Sequence, residues 1–296
     1  MSRIDETFAS LKAANRRGFI PFITAGDPDL QTTRELIVEL ARAGGTVIEI
    51  GIPFTDPMAD GPVIQRASER ALRHDFGISE VLQIVSDARK ETDVPIILFS
   101  YFNPLLQWCQ KPDREGGRTS LAGSHVINDA LPYGRASDPV GFDFERLAGE
   151  AKKAGVDGIL VTDLVPEEAG EFASTLRAND LDMIFLIAPT STDERLKMVA
   201  DRASGFIYAV SRAGITGARE EMSAEAEKLV RRMRAVSDLP IAVGFGISTP
   251  GQVADVWRYA DAAVVGSAIV SEIEKADSAV DAVTRVRRFA RELISK

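Results

Sequence analysis

Glu49 stands in the run Val47-Ile48-Glu49-Ile50-Gly51-Ile52-Pro53, a single carboxylate among apolar side chains. A carboxyl group removed from water resists ionisation, so burial here raises its pKa towards the range useful for general acid–base work near neutral pH. The same placement suits a structural carboxylate paired with a buried arginine, and the local sequence favours neither. The next loop, Phe54-Thr55-Asp56-Pro57-Met58-Ala59-Asp60-Gly61-Pro62, sets two aspartates among prolines and a glycine, the composition of a tight turn. Asp56, before Pro57, fits turn hydrogen bonds or a cap for a helix starting near Val63. Asp60, beside Gly61, fits that role and also fits a carboxylate directed at a ligand.

A second group of residues suits an anion. Ser211-Arg212-Ala213-Gly214-Ile215-Thr216-Gly217, Gly244-Phe245-Gly246-Ile247-Ser248 and Gly266-Ser267 each come after a short apolar run. Glycines let backbone N–H groups approach phosphate oxygens, and a helix N-terminus adds a favourable dipole. These turns point to a phosphorylated small molecule. Gly244-Phe245-Gly246 is not a dinucleotide fingerprint, because Thr249 stands where the third glycine of that motif belongs. His74 and His125 stand alone without metal-ligand spacing, so no metal site is expected. Cys109, the one cysteine, excludes a disulfide framework and has no histidine nearby in sequence to activate it as a nucleophile.

Such residues need a scaffold that gathers strand ends. Apolar runs at Phe19–Thr24, Val47–Ile50, Pro95–Ser100, Gly158–Val161, Met183–Ile187, Gly205–Val210, Pro240–Val243 and Ala262–Val265 read as buried strands of a parallel sheet. Amphipathic stretches alternate with them, among them Leu30–Ala43, Glu145–Ala154, Glu167–Ala178, Glu194–Ala203, Ser223–Val236, Gln252–Tyr259 and Ser278–Ile294. About eight β-then-α units predict an α/β fold, a closed (β/α)8 TIM barrel with an extra N-terminal helix, against a doubly wound open sheet as the competing architecture. Catalytic groups of such barrels gather at the C-terminal ends of the strands, where Glu49, Asp60 and the glycine turns all fall. One domain over residues 1–296 is expected, with an insertion at about 107–141 forming an extended loop after the third strand.

The 296 residues carry 35 Lys+Arg against 44 Asp+Glu, a net charge of −9. That balance argues against nucleic acid or an anionic membrane as the main partner. The N-terminal stretch MSRIDETFASLKAANRRG contains Asp5 and Glu6 and lacks a continuous apolar region, so it does not read as a signal peptide. No segment approaches the roughly 18 consecutive apolar residues of a membrane span. A cytoplasmic protein is the expectation.

Several segments, taken in order, resemble the tryptophan synthase alpha chain family. They are Pro21-Phe22-Ile23-Thr24-Ala25-Gly26-Asp27-Pro28, the stretch Ile48–Gln65 that holds Glu49 and Asp60, Ser211–Gly217, Gly244–Ser248 and Gly266-Ser267-Ala268-Ile269-Val270. The resemblance covers nearly the whole chain apart from the insertion. It implies a (β/α)8 barrel that cleaves indole-3-glycerol phosphate to indole and glyceraldehyde 3-phosphate, a retro-aldol lyase reaction of tryptophan biosynthesis. It implies Glu49 as the acid–base residue and Asp60 as the partner of the indole N–H. It implies Phe22, Tyr101 and Tyr208 as pocket walls, Thr216 as the residue closing over substrate, and Gly217, Phe245, Gly246, Gly266 and Ser267 as the phosphate site. It further implies no cofactor in this chain, and a beta-chain partner carrying pyridoxal phosphate in an α2β2 heterotetramer.

Two features depart from that pattern. The insertion replaces a short loop that in the family lies against the beta chain. Thr162, before Asp163, stands where the family more often has alanine or proline. A stand-alone indole-releasing lyase and a non-catalytic subunit that activates a beta chain are the alternatives within the family. A sugar-phosphate isomerase on the same fold would account for the phosphate turns but not for the Glu49–Asp60 segment.

Overall fold

The computed structural model describes residues 1–109, 142–210, 219–244 and 246–295. Eight parallel strands close into a barrel in chain order. They are β1 (Gly18–Thr24), β2 (Ile48–Gly51), β3 (Ile96–Ser100), β4 (Gly158–Val161), β5 (Asp182–Ile187), β6 (Ile207–Val210), β7 (Ile241–Gly244) and β8 (Ala262–Val265). The (β/α)8 architecture expected from the alternation is therefore observed, and the open sheet is not. These strands read as unbroken apolar runs because both of their faces are covered. Ile20, Val47, Ile97, Leu160, Ile184, Phe206, Ala242, Ala262 and Val264 point inward and fill the barrel as one cluster. Ile23, Ile48, Ile50 and Leu98 alternate with them and join a larger cluster under the helices.

The expected N-terminal helix is α1 (Arg3–Ala13), and it closes the N-terminal end of the barrel. Its Ile4, Phe8 and Leu11 belong to the interior cluster, with the Phe8 ring 5.8 Å from that of Phe206. Ser2 and Asp5 form a capping box at its start. Arg3 pairs with Asp157, which also pairs with Arg89 and accepts the Ile96 N–H at 2.8 Å. One buried carboxylate thus ties α1 to the entrances of β3 and β4.

The outer ring obeys the same logic of caps and apolar faces. α2 (Leu30–Ala43) starts on the Asp29 cap and ends at Gly44, whose φ of 113° is the left-handed value that glycine tolerates. Around it come α3 (Pro62–Ala71), α4 (Ile78–Ala88), α5 (Phe102–Cys109), α6 (Phe144–Ala154), α7 (Gly170–Ala178) and α8 (Asp193–Arg202). The ring continues with α9 (Arg219–Arg234), α10 (Pro250–Val256), α11 (Ser267–Glu274) and α12 (Ala279–Ile294).

One expectation needs correction. The sequence pattern starts the insertion at residue 107, yet Gln107, Trp108 and Cys109 form the last turn of α5. Trp108 and Cys109 are buried. The Trp108 indole N–H donates to Ser79 Oγ at 3.2 Å, and the Arg146 guanidinium lies 4.3 Å from its ring. This apolar anchorage holds the chain to the barrel wall as far as Cys109. Residues 110–141 lie outside the described residues.

Asp157 offers a test of how the barrel floor is held. Its removal leaves the largely buried Arg89 guanidinium without a counter-charge. Asp157→Asn is expected to lower the unfolding free energy by about 3 kcal/mol, read from urea denaturation. A change below about 0.5 kcal/mol would mean that the pairs behave as solvated surface contacts.

Candidate active site

Side chains alternate along a strand, so Val47, Glu49 and Gly51 share the inner side of β2, a direction fixed by Val47 in the interior cluster. In the strand register Glu49 lies between Phe22 of β1 and Ile97 of β3. It is 1% exposed, and its Oε1 has no hydrogen-bond partner. Burial alone pushes the carboxyl up to about 8. No cation among the described residues offsets that burial, so the structural reading, a carboxylate paired with a buried arginine, does not hold.

The residues flanking Glu49 are large, and two glycines make room for them. Tyr208 on β6 lies close enough that the Glu49 charge adds to burial in holding its phenol well above the usual range. A Cβ on Gly244 of β7 would stand 2.4 Å from Tyr208 Oη. A Cβ on Gly51 would stand 2.4 Å from Phe22 Cζ. Any other residue at either position would displace an aromatic ring from the Glu49 environment.

Asp60 sits on the turn above β2. The N-cap of α3 is Gly61, with no side-chain cap bond, so the Asp60 carboxylate is not used as a helix cap. Its turn is fixed instead by Asp60 N–H donating to Pro57 O at 3.1 Å and by Gln65 Nε2 donating to Asp60 O at 2.9 Å. Tyr101, just past β3, accepts the Ala59 N–H on its hydroxyl oxygen at 2.8 Å and donates to the Asp60 carboxylate. Burial outweighs that hydrogen bond and raises the Asp60 carboxyl to about 6.

Phe22, Gly51, Asp60, Ile64, Phe99 and Tyr101 wall a small cavity at the barrel mouth. Phe22 meets Phe99 edge to face at 5.3 Å, and Phe54 lies 5.3 Å from Tyr101. Aromatic walls with one carboxylate at the rim suit a flat ring that carries an N–H. A larger hollow of about 500 Å³ opens at the opposite end of the barrel, between the start of α1 and the entrances of β4 and β5. That end of a barrel serves stability rather than chemistry.

Two helix N-termini come after the last two strands, and they differ. At α10 the Gln252 side chain takes up the Ser248 and Thr249 N–H groups at 2.8 and 3.1 Å, so that end is closed on itself. At α11 the N-cap is Gly266, with no side-chain cap bond. The first amides of a helix have no carbonyl behind them, which leaves the Gly266-Ser267 end open to an anion. Gly266 borders Phe22, so this end adjoins the aromatic cavity. Gly246, two positions after the end of β7, adopts a left-handed φ of 70° and is exposed. Thr216, Gly217 and Phe245 lie outside the described residues.

Of the expected site residues, Glu49, Asp60, Phe22, Tyr101 and Tyr208 come together, with Gly266 and Ser267 at the rim. Sequence reasoning misses the hydrogen bonds that join Tyr101 to the Asp60 turn, and the spaces left by Gly51 and Gly244. An aromatic residue directly after a strand is the available signal. Cys109 is buried, with its thiol pushed up to about 12, which makes it unreactive. His74 is exposed, as expected of a surface residue. No group of three or more His, Cys, Asp or Glu side chains among the described residues is arranged to hold a metal ion. No helix among them is long and apolar enough to cross a membrane.

Comparisons with known proteins agree with the barrel fold. A family described as tryptophan synthase alpha chain matches residues 8–132 and 138–296, the break falling inside the insertion. The tryptophan synthase alpha chain of Geobacter sp. (strain M21) is 44% identical over 275 residues, covering 93% of this chain and 90% of that protein. That of Caulobacter sp. (strain K31) is 45% identical over 283 residues, covering 95% and 90%. The crystal structure of tryptophan synthase subunit alpha from Legionella pneumophila str. Paris superposes with a TM-score of 0.81 at 34% identity, over 99% of this chain and 97% of that one. A chain from tryptophan synthase of M. tuberculosis superposes with a TM-score of 0.78 at 30% identity, over 99% and 98%. With a family match along nearly its whole length and the barrel those relatives share, the chain belongs to the tryptophan synthase alpha chain family, lyases of the alpha reaction.

Proposed function

We propose that this chain cleaves indole-3-glycerol phosphate to indole and glyceraldehyde 3-phosphate, with Glu49 as acid and base and Asp60 as the partner of the indole N–H. One observation carries the assignment: a carboxyl group buried inside the barrel with no cation beside it among the described residues, next to Phe22 of an aromatic cavity whose rim holds a second carboxylate.

The two acids differ in the way the chemistry requires. With its carboxyl near 8, Glu49 is mainly protonated at neutral pH and gives its proton to indole C3. With its carboxyl near 6, Asp60 is mainly ionised there and accepts a hydrogen bond from the ring N–H as positive charge develops. The carbinol hydroxyl next to the ring then returns a proton to Glu49. The bond between that carbon and C3 breaks, its electron pair neutralises the ring nitrogen, and the carbinol carbon becomes the aldehyde. Glu49 ends protonated, as it began.

Phe22, Tyr101 and Tyr208 form the walls of the indole pocket in this reading. Gly246, Gly266 and Ser267, with Gly217 and Phe245, hold the phosphate, and Thr216 closes over the substrate. Membership of the family implies a beta-chain partner. An α2β2 assembly, pyridoxal phosphate in the beta chain, no organic cofactor in the alpha chain and a cytoplasmic location complete the proposal. So does a single domain over residues 1–296.

Indole release from indole-3-glycerol phosphate, with and without a beta chain, tests it. Wild-type activity that rises on adding the partner is expected, together with a kcat/KM that climbs through about pH 6 and falls through about pH 8. Glu49→Gln is expected to lose at least about 1,000-fold in rate, within the range that a positioned general acid–base group supplies. Activity retained in that variant would overturn the assignment. The variant also reports on stability. Glu49 moves from 4.5 in the unfolded chain to about 8 when folded, so the folded chain holds the extra proton between those values and stability falls as pH rises through them. Glu49→Gln should therefore melt near the wild type at pH 5 and above it at pH 8.5. A gap that does not change with pH would mean that Glu49 titrates normally.

A further inference from the structure

Arg70 lies in the last turn of α3, and its guanidinium is bonded on both edges. It donates from Nε and Nη2 to the two oxygens of Asp27, both at 2.8 Å, and from Nη1 to Glu274 Oε1 at 2.9 Å. Glu274 is the last residue of α11 and takes a second, bidentate pair from Arg66 at 2.6 and 2.8 Å. Asp27 is fully buried just beyond β1, while Arg70 and Glu274 are about three-quarters covered. The two guanidinium groups hold the Glu274 carboxyl down at about 2, so its pairs with Arg66 and Arg70 persist throughout the working pH range, while burial raises the Asp27 carboxyl against the pull of Arg70.

The helices joined here carry the two ends of the proposed substrate site. α3 begins directly after Asp60 and Gly61, and α11 begins at Gly266 and Ser267. Midway along, Ala67 and Val270 pack into one cluster with Phe22, bordered by Val63 and Ile64. At a rise of about 1.5 Å per residue, Val270 lies about 4.5 Å along α11 from Ser267 and about 6 Å from Glu274. The apolar contact and the ion pairs thus join the two helices at two points, midway and at the Glu274 end.

We propose that the Asp27–Arg70–Glu274–Arg66 chain is a clamp that fixes the phosphate turn relative to Asp60, which makes Arg70 and Glu274 positioning residues for the cleavage. The inference rests on the cleavage reading, because the phosphate anchors one end of the substrate while Asp60 and Glu49 act on the other. A misplacement of about 1 Å between anchor and reacting group is enough to slow a reaction markedly.

Arg70→Gln would strip buried Asp27 of its counter-charge and endanger folding, so Glu274→Gln is the informative variant. It leaves the Asp27–Arg70 pair in place. Glu272→Gln is the control, since Glu272 lies on the same helix but pairs with Lys275 and with Arg285 of α12. Two readouts are needed, on chains held with their beta partner. Amide hydrogen exchange in the first turn of α11 should quicken about fivefold in Glu274→Gln and stay unchanged in Glu272→Gln, the size expected for a networked, partly exposed pair. Indole release should fall about fivefold in kcat, with melting temperature within about 3 °C of wild type, the shift expected of a change below about 1 kcal/mol.

Unchanged exchange in Glu274→Gln would overturn the clamp whatever the activity. Equal losses in both variants would also overturn it, by reducing the effect to general helix packing. Quickened exchange with kcat and KM both unchanged would leave a clamp with no positioning role, which contradicts the proposal. A wild type inactive with its partner would instead overturn the cleavage reading on which the positioning role rests.

Discussion

A carboxyl group placed inside an apolar barrel with no counter-charge among the described residues is the constraint on which the rest of the site depends. Ionising Glu49 where it stands is costly, because nothing among the described residues repays the lost hydration. A looser scaffold would relieve that cost by letting water in or by swinging the side chain out. Here the strands are hydrogen-bonded all the way round, the floor is closed by Ile4, Phe8 and Leu11, and the rings of Phe22 and Tyr208 stand beside the carboxyl. The barrel keeps the group both buried and in place, and this sets its proton affinity near the working pH.

The mouth of the barrel divides the remaining tasks among separate elements. The turn after β2 is braced by Tyr101 and Gln65, which leaves the Asp60 carboxylate free of capping duty. The α10 terminus is closed by its own Gln252, while the α11 terminus stays open. The same backbone motif, a helix starting after a strand, thus gives an end closed on itself in one case and an uncapped end in the other. The difference is one side chain reaching back. The ion pairs from Asp27 to Glu274 then join α3, which follows the carboxylate turn, to α11.

The strands were legible because burial on both faces demands uninterrupted apolar runs, and Glu49 was legible as the residue that breaks one. What the run does not contain is the far side of the contact. Whether Glu49 met an arginine depended on what seven other strands placed beside it, so its local sequence left acid–base and structural roles level. Asp60 was ambiguous for a different reason: Gly61 serves as the α3 N-cap through its backbone alone, which no pattern of side chains announces. Arg70 finds Asp27 43 positions away and Glu274 204 positions away, contacts made only by closing the barrel. The last turn of α5 was hidden by its neighbours in sequence, since the Gly- and Pro-rich residues after Cys109 draw Trp108 into the reading of a loop. Thr216, Gly217 and Phe245 rest on the resemblance, with no geometry to set beside it.

The state of Glu49 in the resting protein tests this view most directly. A ¹³C NMR titration of chains labelled at glutamate side-chain carboxyls, with the Glu49 signal identified by its loss in Glu49→Gln, reports its midpoint. The burial described here predicts a midpoint near 8. A midpoint near the ordinary 4.5 would mean that water or a counter-charge reaches the group, and the acid–base role argued from its isolation would fall.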